Sequence, residues 1–146
     1  MSETANASFD ATVDKTNHVL KQIELTFGWS RQLRKQSYAG LRAVLQALRD
    51  RLTVEEGAHL AAQLPILVCG IYYHGWDPSR VPVKMNREEF LQRVQDELAF
   101  QLEGGPERLV QAVVQALGDH VTQDEWEKVR VSVPRDLATL LAPPVH

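Results

Sequence analysis

The chain has 146 residues, of which 44% are hydrophobic and 24% charged, with a formal net charge of −3. That balance is ordinary for a globular protein and gives no global attraction to nucleic acid or an anionic membrane. One cysteine, Cys69, excludes an internal disulfide and fits a reducing compartment, so a cytoplasmic setting is expected.

Met1 to Asp14 is polar and lacks the apolar core of a signal peptide. Val19, Leu20, Ile23 and Phe27 then recur at helical spacing. Leu41, Val44, Leu45, Leu48 and Leu52 do the same for a second helix. Thr53 and Glu56 form a capping-box pattern that opens a third: threonine covers an orphan N–H while the glutamate reaches back. Pro65 stops that helix and opens a short fourth one, Ile66 to Tyr73, which is apolar all round and is expected to be central. The apolar run here, Leu64 to Tyr73, falls well short of the roughly 20 residues of a membrane span. Gly75 is the expected helix stop, and residues 77–85, with Pro78 and Pro82, form a linker.

Asn86, with Glu89 three residues on, caps a fifth helix whose stripe is Phe90, Leu91, Val94 and Leu98. Gly105-Pro106 opens the sixth, with Val110, Val113, Val114, Leu117 and Val121 on one face. Thr122 and Glu125 repeat the capping-box pattern, Pro134 repeats the stop, and Arg135 to Leu141 is amphipathic and expected at the surface.

These coincidences reflect an internal repeat. Residues 41–72 laid on 110–141 without a gap match at nine of 32 positions, including Ala47/Ala116, Asp50/Asp119, Thr53/Thr122, Glu56/Glu125 and Pro65/Pro134. The expected fold is all-α: a single domain of two tandem, pseudo-symmetric four-helix units sharing one core, because helices this short bury too little alone. Unit one spans about 10–76, the linker about 77–85 and unit two about 86–142. Gly57 stands where the second copy has Trp126, a swap that requires close packing on one side and a filled gap on the other.

Few residues suggest chemistry. Glu56-x-x-His59 has the spacing of a di-iron half-site, but the second copy reads Glu125-x-x-Lys128, and Glu56 is already a cap, so no metal is expected. Cys69 and His74 lie about 140° apart around a helix, too far to act as thiol and base. His18, His120 and His146 have no partner by spacing. Lys35, Arg42 and Arg49 share a face every seven residues and form a weak basic stripe. Without interleaved aromatics a solvated face or internal ion pairs explain it better than phosphates do. Tyr73, His74, Trp76 and Asp77 concentrate aromatic and polar groups where the apolar helix ends, which makes them the best candidate binding surface. Packing of a helix end explains them equally well. No phosphate loop, nucleophile elbow or paired-cysteine metal site is present, which weighs against an enzyme and against a cofactor.

Phe27-Gly28-Trp29, the run Tyr38 to Leu52, Ala62-Gln63-Leu64-Pro65, Gly70 to Pro78, Glu88-Glu89-Phe90-Leu91 and Val133-Pro134 resemble the bacterial domain-of-unknown-function family 2267 over nearly the whole chain. The resemblance implies a small all-helical protein with an orthogonal, globin-like arrangement and implies no activity, cofactor or catalytic residue. His74 stands where members of that family often carry an acid. The expected role is therefore a non-catalytic protein-interaction or scaffold module, with an unidentified protein partner or self-association. The alternative is a small-molecule-binding or enzymatic bundle with a pocket between the two units. Binding of nucleic acid through Lys35, Arg42 and Arg49 ranks third.

Overall fold

The computed structural model describes residues 2–142, with side-chain surroundings from residue 6 onward. Among these residues there are eight α-helices and no strand: α1 Ser2–Phe27, α2 Arg34–Arg51, α3 Val54–Ala61, α4 Ile66–Tyr73, α5 Arg87–Asp96, α6 Gly105–Ala116, α7 Gln123–Val131 and α8 Arg135–Leu140. Helix α1 begins well before the sequence pattern places unit one, because its first turns carry no core stripe to announce them.

Local chemistry sets most boundaries. Thr53 Oγ1 accepts from the Glu56 amide at 3.1 Å while Glu56 Oε1 accepts from the Thr53 amide at 2.9 Å, a complete capping box. Asn86 and Glu89 build the same device at the start of α5. Pro65 and Pro134 sit immediately ahead of α4 and α8. Gly75, at φ +80°, turns the chain out of α4 in a conformation that a Cβ would strain.

Helix α2 is the hub. It packs against α1, α4, α5 and α6, and Leu41, Val44, Leu45, Leu48 and Leu52 are all essentially sealed from solvent. The buried side chains of all eight helices belong to one hydrophobic cluster. At the C-terminal end of α1, Phe27 stacks on Trp29 at 4.5 Å, Trp29 meets the edge of Phe100 at 5.9 Å, and the Arg108 guanidinium covers Phe27. The linker is tied down as well: the Val83 amide donates to the Asp50 carbonyl, and Met85 is buried.

The exchange of Gly57 for Trp126 has a structural reason. Tyr72 is fully buried and its hydroxyl donates to the Gly57 carbonyl at 3.1 Å, so a Cβ on residue 57 would press on that oxygen at 3.3 Å. In the repeat, Tyr72 aligns with Leu141. Tyr72 of α4 is the large ring beside Gly57, whereas at the aligned position on α7 the residue is itself a large ring, the buried Trp126.

Candidate interaction surface

Helix α4 does not occupy the central place that its composition predicts. Val68 and Tyr72 face the core, but Ile66 is 77% and Leu67 43% exposed, Gly70 opens on solvent, and Cys69 and Tyr73 are half-buried. Those five positions fall on one arc of the helix, and none carries a charge. Beside them runs the N-terminal half of α1. The Leu67 amide donates to Thr12 Oγ1 at 3.0 Å, which brings the α1 turns carrying exposed Phe9 and Val13 next to the start of α4. Exposed apolar side chains thus extend from Phe9 and Val13 along α4 towards Tyr73, with Asp10 and Asp14 exposed on the same turns of α1.

At its far end the surface meets Tyr73, His74, Trp76 and Asp77. Tyr73 lies between two rings, 5.0 Å from Tyr72 and 5.0 Å from Trp76. His74 and Asp77 are exposed, and Tyr73 and Trp76 half-buried. Two residues of α2 fix the corner. Arg49 Nη1 donates to the carbonyls of Tyr72 at 3.1 Å and His74 at 2.7 Å, and Gln46 Nε2 donates to those of Ile71 and His74. These are the carbonyls a helix end leaves without partners. Asp77 is held as a carboxylate by the Ser79 hydroxyl and amide, which lower its pKa.

Arg49 therefore leaves the basic stripe. It is 5% exposed, and its Nε and Nη2 bind Asp50, which also accepts from Arg93 Nη2 at 2.6 Å. Burial opposes ionisation of Asp50, but the hydrogen bonds from Arg49 and Arg93 outweigh it and hold the carboxyl below its ordinary range. Lys35 and Arg42 remain exposed, so a stripe read through Arg49 is interrupted at its last member. A second ionic knot lies where α1 meets α2: Arg34 grips the buried Glu24 with two bonds of 3.0 Å, and Ser37 donates to the same carboxylate at 2.6 Å. Burial again works against the charge, and the Arg34 and Ser37 bonds prevail, lowering the Glu24 pKa.

The other sequence candidates are scattered. His18 Nε2 is 3.6 Å from Asp119 Oδ2, and His120 is partly buried with its pKa lowered by desolvation. His146 lies outside the described residues. The Cys69 thiol is pushed up by burial, which disfavours the nucleophilic thiolate. Glu56 and His59 share a groove between α3 and α7, but among the described residues no three His, Cys, Asp or Glu side chains gather as a metal ion requires. Among the described residues, too, no helix is long and apolar enough to cross a membrane.

The sequence pattern singles out the Tyr73 to Asp77 corner and does not single out Phe9, Val13, Ile66 and Leu67, whose exposure emerges from the fold. The usable signal was a helix of eight apolar residues opened by a proline, which is short enough to be covered on one side only.

No curated protein matches this chain. The model of a family described as uncharacterized conserved protein, DUF2267, matches residues 16–140, and the chain belongs to that family.

Proposed function

We propose that this protein is a non-catalytic interaction module, a single helical domain of two tandem quartets, that docks through the outer face of α4 and the adjoining turns of α1. The observation that carries this reading is the exposure of Ile66 and Leu67 on a helix without a polar side. A helix that is apolar all round is normally enclosed, and a contiguous apolar patch on a surface marks a contact site. The first partner is a second copy of this chain. Because α4 itself carries no charged residue, two copies meeting across that helix set no like charges of α4 against each other, despite the net charge of −3. An eight-residue helix is small against the ~800 Å² per partner of a stable interface, and Phe9 and Val13 extend it. The Tyr73–Trp76 corner, held by Arg49 and Gln46, gives the face a rigid end that loses little entropy on binding.

Sedimentation equilibrium tests the reading. The wild-type chain is expected to self-associate reversibly, and Ile66→Arg with Leu67→Asp to be monomeric with an unchanged helical spectrum. A wild-type chain that stays monomeric at high concentration would overturn the choice of partner. Trp76→Ala should weaken association less, because that ring is already half-buried within its own chain.

A further inference from the structure

Between α3 and α7 lies a groove of about 350 Å³, lined among others by Glu56, His59, Glu125, Lys128, Val129 and Val131. Glu56 and Glu125 occupy the same place at the start of their helices, three residues after the capping threonine. Their surroundings differ sharply. Glu56 accepts the Thr53 amide at 2.9 Å and feels the charge of Arg51; burial opposes its ionisation, yet these partners keep its pKa low.

Glu125 has lost that arrangement. Thr122 Oγ1 still accepts from the Glu125 amide, but the Thr122 amide donates to Gln63 Oε1 at 2.8 Å instead of to the glutamate. Gln63 reaches across from the end of the α3 region and takes the donor that would have tied the Glu125 carboxylate to its own cap. Glu125 is only 5% exposed and it lines the groove. Among the described residues no side chain donates a hydrogen bond to its carboxylate and no cation lies within ion-pair distance. Lys128, three residues on, is exposed and pairs with neither glutamate. The walls at Val129 and Val131 are apolar.

Among the described residues the Glu125 carboxylate carries no donor and lines a groove with apolar walls, an arrangement suited to a positively charged donor. We propose that this groove binds a primary ammonium or guanidinium on a short aliphatic stem, the cation against Glu125 and the stem along Val129 and Val131. The same chemistry comes from a free alkylamine or from a lysine or arginine side chain of another protein. The site is separate from the α4 face and does not depend on it.

The test is an NMR titration of the full chain, ¹⁵N-labelled, with n-butylammonium, Nα-acetyl-lysine amide and Nα-acetyl-arginine amide, using n-butanol as the neutral control. Saturable shifts are expected at amides of α3 and α7 around Glu56, His59, Glu125 and Lys128, with n-butanol producing none. Stronger binding of butylammonium assigns a free amine, and stronger binding of either amino-acid amide assigns a side chain. Glu125→Gln should weaken the preferred cation at least tenfold. Should Glu125→Gln misfold, Val131→Trp fills the mouth from an exposed position and should block binding equally. Lys128→Met should leave affinity unchanged or higher. The proposal is overturned if no cation gives a saturable shift, if n-butanol matches the cations, if Glu125→Gln binds as well as wild type, or if Lys128→Met abolishes binding. Ile66→Arg with Leu67→Asp should leave the titration intact, which separates this site from the docking face.

Discussion

Helices α4 and α8 follow equivalent prolines, and at an offset of 69 residues their inward positions agree: Val68 with Leu137, Ile71 with Leu140 and Tyr72 with Leu141. Their outward positions do not. Where α8 exposes Arg135, Asp136 and Thr139, α4 exposes Ile66, Leu67 and Gly70. The inner face of such a helix is dictated by the shared core, and the outer face is free to record what each half meets. On α8 that is its own chain and water: Asp136 accepts from the Arg87 amide of α5. On α4 the outer face carries no charged side chain, which is why a partner is inferred there and not at α8.

The two helices are also fastened differently, and the largest expected effects lie there. Arg49 closes the end of α4 from inside the core, whereas the Leu141 carbonyl after α8 receives Arg130, whose partner Glu127 is largely exposed. Arg49→Met should cost roughly 3–5 kcal/mol in a urea melt, since it removes four hydrogen bonds at about 1 kcal/mol each, taking the side-chain donor from the Tyr72 carbonyl and leaving Asp50 with Arg93 alone. Arg130→Met should cost under about 1 kcal/mol. Equal losses would mean that the two ends are not distinguished as described.

Next come the large rings of the two halves. Trp126→Ala removes the plug on the α7 side and should cost about 3–5 kcal/mol. Tyr72→Phe keeps the ring and loses only its bond to the Gly57 carbonyl, for about 0.5–1.5 kcal/mol.

Acid should separate the two ends more gently. Glu24 and Asp50 have pKa values lowered from 4.5 and 3.8, so the stability they contribute is complete above those values and lost as pH falls through the depressed ones. Because Asp50 anchors Arg49, hydrogen exchange at His74, Gly75 and Trp76 should accelerate below about pH 4 before the amides of α8 do. Glu24→Gln and Asp50→Asn should flatten the pH dependence of the melting temperature.

The smallest effect on stability should come from the outer face itself. Ile66→Arg, Leu67→Asp and Gly70→Thr together give α4 the outer residues of α8, and on exposed positions each should shift stability by no more than about 0.5 kcal/mol. Their effect belongs to association instead.

What the sequence revealed follows from the range of the forces involved. The starts of α3 and α5 were legible because a capping box is written within four residues. The stripes of α2 and α6 were legible because one face repeats over several turns. The placement of α4 was not, since eight apolar residues contain no contrast to say which side faces in. Nor was the fate of Glu125: its local pattern matched a capping box, and a glutamine 59 residues away in sequence took the donor. Arg49 read only as one of three cations on a stripe, solvated or in internal ion pairs, and nothing nearby in sequence placed the last carbonyls of α4 within its reach.

The claim that α4 is an unpartnered docking face is tested most directly by comparing wild type with the triple α4 variant in sedimentation equilibrium. Reversible association of the wild type, abolished in a variant of the same melting temperature, is the predicted result. Identical sedimentation of the two proteins would contradict it.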